Sequence, residues 1–205
     1  MNACRAWVGV HRSRLAGAVL LAALLGSILC RSTVVDRVGG QQLVNPVALV
    51  LLVPTLAAAG VAIGCVGPTL PRPNPPRARI ARKAWATLLT GLAFLACSAG
   101  PGASTTSSVG LSAVLRNVAL SVALAMCTVL VGAPAFAWFP STMYAFVAMQ
   151  FGSRSDGDVA AWAVFVDPVC TPRQLVIALA AVGIAIALHG VRQRESVPPP
   201  RGPRA

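Results

Sequence analysis

Long apolar runs separated by short polar segments restrict this chain to a small set of folds. Hydrophobic residues make up 56% of its 205 residues and charged residues only 11%, and the mean hydropathy is +0.74. A soluble domain of this length needs more charge to cover its surface, whereas a transmembrane helix needs about 20 mostly apolar residues. Because helices satisfy their own backbone hydrogen bonds inside lipid, the sequence predicts an all-α, polytopic membrane helix bundle.

The apolar runs fit about six transmembrane helices. The predicted spans cover residues 15–30, 43–67, 84–98, 111–131, 135–151 and 174–188. They divide the chain into a basic N-terminal flank (1–14), a six-span transmembrane domain (15–188) and a basic, Pro-rich tail (189–205) whose composition is typical of disorder. Residues 31–42 read as a polar outer loop. In the second span, Gly60 and Gly64 are four residues apart and predict close approach of a neighbouring helix.

The distribution of basic residues predicts the orientation of the bundle. Five of the 17 Lys and Arg residues fall in the island 71–83, and twelve lie in the flank, this island and the tail together. Four of the five acidic residues lie in the segments on the other side of the spans. Since Lys and Arg accumulate in cytoplasmic loops, we expect both termini in the cytoplasm and a multi-pass protein in the cell membrane. The Pro-rich first half of the island predicts extended chain, and residues 78–83 are compatible with helix.

Two other classes of function fit the sequence poorly. The formal net charge is +12, but the charges occupy tails and loops instead of one face of a folded domain, which argues against nucleic-acid binding. The motifs HExxH, GxSxG and Gly-Lys-Ser/Thr are absent from the sequence, and His11 and His189 lack a carboxylate at helical spacing. We therefore expect a protein that is not an enzyme, and any ATP-driven work of the P-loop type requires another subunit.

The six cysteines do not form a metal-binding pattern. They stand at positions 4, 30, 65, 97, 127 and 170, without a CxxC pair or a nearby histidine. Zinc and redox sites need closer spacing, so small apolar packing residues are the expected role. The sequence thus predicts neither a metal nor a cofactor, and it leaves open a disulfide among Cys30, Cys97 and Cys170 near the outer face.

Arg116 is the ionisable residue placed well inside a predicted span, the fourth. A charge at the centre of a transmembrane helix costs about 2.5–3.5 kcal/mol on insertion scales. Arg116 lies only five residues past the start of the span, so one interpretation is that its side chain snorkels to the headgroups. The alternative is a functional role, either in an intramembrane pair with Asp167 or Asp158 or in contact with a substrate.

Two further features are the aromatic residues of the fifth span and the apolar stretch that follows this span. Tyr144, with Trp138 and Pro140, either lines a kinked path through the fifth span or packs and anchors that helix. The apolar stretch 159–166 is too short to span, so we expect it to dip into the outer leaflet and return at Asp167-Pro168.

With these features, the chain resembles a small ABC-2-type permease, the membrane subunit of some ATP-binding-cassette exporters. The resemblance is one of topology: six spans with both termini inside, the flank 1–14 in place of an amphipathic interface helix, the inner loop 71–83 between spans two and three, and the outer stretch 159–166 between spans five and six. It implies a homodimer that works with a separate cassette ATPase. It also implies that Arg79, Arg82 and Lys83 dock this ATPase, and that Arg116 and Tyr144 line the path.

A second hypothesis needs no transport. The spans carry few polar residues that could line a route, which also fits a membrane scaffold or assembly protein without catalytic activity, whose partner is the lipid bilayer.

Overall fold

The described part of the chain folds mostly into α-helix, with one β-hairpin. The computed structural model describes residues 12–38, 40–67, 76–102, 109–153 and 158–191. Their elements in chain order are α1 (Ser13–Leu29), β1 (Val34–Val38), β2 (Gln41–Ala48), α2 (Val53–Cys65), α3 (Pro76–Gly102), α4 (Leu111–Val131), α5 (Phe139–Phe151) and α6 (Pro172–Val191), with short 3₁₀ turns at Leu49–Leu51 and Pro134–Phe136. The predicted all-α fold is confirmed in that the described residues are mostly helical, and it is wrong for the hairpin β1–β2. The structural predictions for residues 1–11, 71–75 and 192–205 lie outside the described residues.

Helix α4 is the central helix of the bundle. It packs against α2, α3, α5 and α6, while α1 packs against α2 and α3 on one side. Residues buried along α4 include Val114, Val118, Val122 and Met126, each four residues after the one before and so on one side of the helix. Gly132 ends the helix with φ 100°, a left-handed conformation that glycine adopts without steric penalty. The fourth predicted span, 111–131, therefore coincides with this element.

Small side chains face the interior of the bundle, and large apolar side chains face outward. In α6, Ala178, Val182 and Ala185 are buried, whereas Val176, Ile177, Leu179, Ile184 and Leu188 are exposed. Large exposed Leu, Ile and Phe side chains also occur along α1, α3 and α5. An exposed apolar surface of this extent marks contact with a membrane or a partner, and small residues inside are typical of helix packing in lipid.

Three of the described helices are long and apolar enough to cross a membrane: Pro76–Pro101, Leu111–Val131 and Pro172–Val191. Two further apolar helices, Ser13–Leu29 and Leu49–Cys65, are shorter. Helix α1 has 17 residues and α5 has 13, or about 25 and 20 Å at 1.5 Å per residue. By length, α1 therefore approaches the roughly 30 Å of a hydrocarbon core, and α5 reaches about two thirds of it.

Helix α2 approaches its neighbours closely at two of its glycines. A Cβ atom at Gly60 would lie 3.2 Å from Leu20 Cγ of α1, and one at Gly64 would lie 2.5 Å from Leu89 Cδ1 of α3. The predicted small-residue face of α2 is therefore confirmed. The indole Nε1 of Trp85 donates to the Gly64 oxygen at 2.8 Å, which joins α3 to α2.

The second predicted span is wrong in its first part. Residues Gln41–Ala48 form β2, which pairs antiparallel with β1, with Val35 opposite Val47 and Val38 opposite Gln41. The reversal includes Gly40 at φ 82°. Strand formation also replaces most of the polar loop predicted at 31–42. The hairpin buries Leu43 and Val47 in a small second apolar cluster, together with Ala148, Ala160, Ala163 and Val166.

The helix ends fall into two groups at opposite ends of the bundle. One groove is lined by Arg12 before α1, Val66 after α2 and Pro134 before α5, and the Lys83 side chain packs on Gly190 at the end of α6. We call this the basic end, because its described charged residues are all basic: Arg12, Arg14, Arg77, Arg79, Arg82 and Lys83. The opposite loop end contains the hairpin and the segment between α5 and α6.

Candidate functional site

Arg116 lies in the interior of the protein near the start of α4, with 0% of its surface exposed. Burying a charge without hydrogen bonds is strongly unfavourable. A guanidinium carries five N–H donors in a rigid planar fork and has no acceptor. The burial of Arg116 is therefore tolerable only where protein groups accept these five hydrogens.

All five donors of Arg116 have acceptors in the surrounding protein. Nε donates to Asn117 Oδ1 at 3.1 Å. The two terminal nitrogens donate to one side-chain amide and to three main-chain carbonyls: Gln174 Oε1 at 3.2 Å, Val169 at 2.9 Å, Asp167 at 2.8 Å, and Val164. Three of the five acceptors are thus carbonyls of the chain between α5 and α6. We call residues 158–171 the outer segment, after the side of the membrane that the sequence predicts for it.

Asn117 extends the same network toward the start of α2. Its Nδ2 donates to the Phe165 oxygen at 2.8 Å and to the Leu51 oxygen at 3.1 Å. Leu51 ends the 3₁₀ turn that links β2 to α2. Two neighbouring side chains of α4 therefore hold the outer segment and the base of the hairpin together.

Tyr144 of α5 contacts the outer segment from another side. Its hydroxyl donates to the Trp162 main-chain oxygen, and its ring meets the Phe165 ring edge to face at a centroid distance of 4.7 Å. Such aromatic pairs contribute about 0.5–1.5 kcal/mol beyond their buried area. Phe165 is itself buried, so the tip of the outer segment is inserted between α4 and α5.

The outer segment is a compact series of turns. Ala163 N donates to the Ala160 oxygen at 2.8 Å and Val166 N to the Ala163 oxygen at 3.1 Å. The Asp167 carboxylate accepts the Val169 N–H at 2.8 Å. The apolar stretch 159–166 thus turns back on itself before Asp167-Pro168, and it lies on the hairpin and α5.

The structure brings the three predicted path or pair residues, Arg116, Tyr144 and Asp167, to one place. Arg116 is enclosed by protein, which rules out the interpretation that it snorkels. Its contact with Asp167 is through the main-chain oxygen. Chemically, the arrangement is a set of donors that fixes the position of a loop, because each N–H of the guanidinium already has an acceptor.

The predicted docking residues lie far from this site. Arg79 and Arg82 are half-buried near the start of α3, and Lys83 is exposed at its head while its stem lies on Gly190. Helix α3 has 27 residues, which is about 40 Å at 1.5 Å per residue. The two predicted sites therefore occupy opposite ends of the bundle.

Two residues of the site, Asn117 and Gln174, were not predicted. The available signal was a second polar residue next to Arg116 in an apolar span, since buried polar groups require partners. Gln174 begins the last predicted span, and its side-chain oxygen also accepts the Thr171 N–H at 3.1 Å.

The described ranges contain no cluster of side chains that could hold a metal ion. No group of three or more His, Cys, Asp or Glu side chains comes together there. The described cysteines, Cys30, Cys65, Cys97, Cys127 and Cys170, are free thiols.

No protein-family model, curated protein or solved structure matches this chain.

Proposed function

We propose that this chain is a multi-pass integral membrane protein that acts as the permease subunit of an exporter driven by a separate ATP-binding-cassette ATPase. The observation that carries the membrane part is the arrangement of α6, with Ala178 and Ala185 inside and Ile177 and Ile184 outside. In water this arrangement would expose a broad apolar surface. In lipid it is the favourable one, because small residues permit close helix packing.

The six crossings of this proposal use all of the described helices. Helices α1, with 17 residues, and α2 and α5, with 13 each, are the short ones, and a thinner local bilayer or snorkelling flanks accommodate such mismatch. The basic end faces the cytoplasm by the positive-inside rule. Six described basic residues and none of the described acidic ones lie there, whereas Asp36, Asp158 and Asp167 lie at the loop end.

The start of α3 supports the ATPase part of the proposal. This helix begins at Pro76, before the predicted span, so that about two turns project with the basic residues on them. Arg77, Ile80 and Lys83 recur every three residues and are exposed on one face. Such a face suits a soluble partner with acidic and apolar contacts, and Arg79 and Arg82 flank it.

In this proposal two copies of the chain form the transport unit. Arg116 and Tyr144 then act beside the path by fixing the outer segment, and the cargo route lies along surfaces of the bundle that the two copies share.

A second candidate function is that of a membrane scaffold or assembly protein without transport. One observation favours it: Arg116 and Asn117, the largest fully buried polar side chains among the described residues, donate to the protein's own acceptors. Around them, α4 buries Ala, Val and Met side chains. A fixed interior of this kind suits a protein whose role is to hold partners in place.

Affinity purification from native membranes in mild detergent, followed by mass spectrometry, distinguishes the two functions. The permease proposal predicts a cassette ATPase in stoichiometric amount, and its loss when Arg79, Arg82 and Lys83 are all replaced by Glu. The matched control replaces three basic residues of the loop end, Arg31, Arg37 and Arg173, by Glu and is expected to retain the ATPase.

The outcome that contradicts the permease proposal is recovery of the chain without an ATPase from preparations in which other cassette transporters remain intact. Equal loss of the ATPase in both triple variants would show that binding does not use α3. Because charge reversal near a span also affects membrane orientation, the topology of each variant is checked by labelling an outer cysteine.

A further inference from the structure

A groove at the basic end has the chemistry of a lipid site. It lies between the start of α1, the end of α2 and the turn that precedes α5, and it encloses about 460 Å³. That volume lies within the range of about 300–1,000 Å³ typical of ligand sites. The groove is separate from the Arg116 network, which lies at the loop end.

The walls of the groove are apolar, and one cationic side chain, Arg12, contributes to its lining. Leu15 of α1 and Ala59 and Ile63 of α2 form the walls, Trp138 lies beside them, and Arg12 contributes the charge. Tryptophan favours the boundary between headgroups and acyl chains, where one part of the ring is apolar and its N–H is polar. An arginine fork matches the oxygens of a phosphate.

We propose that this groove binds one anionic phospholipid of the cytoplasmic leaflet, with its phosphate at Arg12 and an acyl chain along Leu15, Ala59 and Ile63. Charge complementarity selects this occupant, because the described charged residues at this end of the bundle are all basic. Basic pockets between helices on the cytoplasmic side are suited to anionic headgroups. The inference depends on the membrane insertion proposed above, and it does not depend on transport.

The groove differs from the rest of the lipid-facing surface in its shape. Exposed side chains of α6, such as Ile177 and Ile184, project from a convex helix face that any lipid can cover. The groove is instead lined by three separate elements and includes one charged side chain, Arg12. A lipid held there contacts α1, α2 and the turn before α5 at once, so it links elements that are distant in the chain.

Native mass spectrometry of the full chain in detergent tests the proposal. Phosphatidylglycerol is the anionic probe, and phosphatidylcholine is the zwitterionic comparison. We expect the wild type to retain one phosphatidylglycerol and to prefer it over phosphatidylcholine. Arg12→Gln removes the charge and Ala59→Phe fills the groove. Each is expected to weaken phosphatidylglycerol binding about tenfold: Arg12→Gln because a charge-assisted contact is lost, and Ala59→Phe because the phenyl ring occupies the space of the acyl chain.

Two further variants act as controls. Arg14→Gln removes the same charge two residues away, from a side chain that does not line the groove, and we expect it to bind like the wild type. Arg12→Lys keeps a cation and is expected to retain the preference for phosphatidylglycerol in part.

Equal retention of phosphatidylglycerol by Arg12→Gln and Arg14→Gln would overturn the proposal, as would equal retention of the two lipids by the wild type. If the wild type bound no lipid and Ala59→Phe differed from it in oligomeric state, the proposal would be overturned, and the groove would be assigned to a second copy of the chain. Membrane insertion is tested separately, by whether extraction of the chain from native membranes requires detergent, so a failure of the lipid proposal is distinguishable from a failure of membrane insertion.

Discussion

Arg116 Nη2 donates a hydrogen bond of 2.8 Å to the main-chain oxygen of Asp167, while the Asp167 carboxylate accepts the N–H of Val169. Helix α4 is therefore joined to the outer segment through the backbone of that segment. A main-chain acceptor is present whatever the side chain at position 167. The contribution of this contact to stability should accordingly depend on the donor at position 116 and very little on the acid at position 167.

The first prediction concerns Arg116→Lys. Lysine has three donors where arginine has five, so at least two of the acceptors lose their partner. Side-chain hydrogen bonds in membrane proteins contribute about 0.6–1.7 kcal/mol each, so we expect the free energy of unfolding to fall by about 1–3 kcal/mol. Reversible unfolding of the purified protein in mixed micelles measures this change.

Arg173→Lys is the matched control for that variant. Arg173 is exposed near the start of α6, next to Gln174, and the same substitution there should leave the free energy of unfolding within about 0.5 kcal/mol of the wild type. Equal stability of Arg116→Lys and Arg173→Lys would show that the multiple hydrogen bonds of the guanidinium are not required.

The second prediction concerns Asp167→Asn. The asparagine Oδ1 can still accept the Val169 N–H, and the main-chain oxygen still faces Arg116. We therefore expect the free energy of unfolding to change by less than about 0.5 kcal/mol. If Asp167 instead neutralised Arg116 as a buried ion pair, removing its charge would destabilise the protein by about 3–5 kcal/mol, which the same unfolding experiment would detect.

The third prediction compares two glycines of α3. The Ser27 hydroxyl donates to the Cys97 oxygen at 2.7 Å and accepts the Gly100 N–H at 3.0 Å, and a Cβ at Gly100 would overlap the Ser27 main chain. Gly100→Ala should therefore separate α1 from α3 and destabilise the protein by about 1–3 kcal/mol.

Gly91 lies on the same helix, with no heavy atom within 4 Å of an added Cβ. Gly91→Ala should be neutral or stabilise the helix by up to about 1 kcal/mol. Thermal unfolding of both variants in detergent compares them directly, and similar midpoints for the two would contradict the close contact between α1 and α3.

The helical part of the fold followed from hydropathy where an apolar run was long and bounded. The fourth predicted span, 111–131, coincides with α4 because Gly110 and Gly132 flank it. The run at 43–67 was assigned as one helix, although its first residues form β2. Periodicity alone does not separate a buried strand from a helix in a short apolar run. The signal was Gly39-Gly40 between valine-rich and apolar segments, which is typical of a hairpin.

The candidate site was predictable in its charged donor, Arg116, and not in the acceptors of that donor. A charged residue in an apolar span must find partners, and this argument identified Arg116 from the sequence. Three of its acceptors are main-chain oxygens of Val164, Asp167 and Val169. Every residue has such an oxygen, so only the path of the chain reveals which of them meet the guanidinium.

The central claim is that the bundle crosses the membrane with its basic end in the cytoplasm and the outer segment outside. Single cysteines at Val169 and Ile80, in a chain whose own cysteines are replaced, test it with a membrane-impermeant maleimide on intact cells. Both side chains are 67% exposed, so differences in labelling report sidedness and not burial. We predict labelling of Val169→Cys in intact cells and of Ile80→Cys only after permeabilisation. If Ile80→Cys were labelled in intact cells and Val169→Cys were protected, the orientation would be contradicted. If both were labelled rapidly, but only after lysis, exposure of the outer segment on the outside would be contradicted.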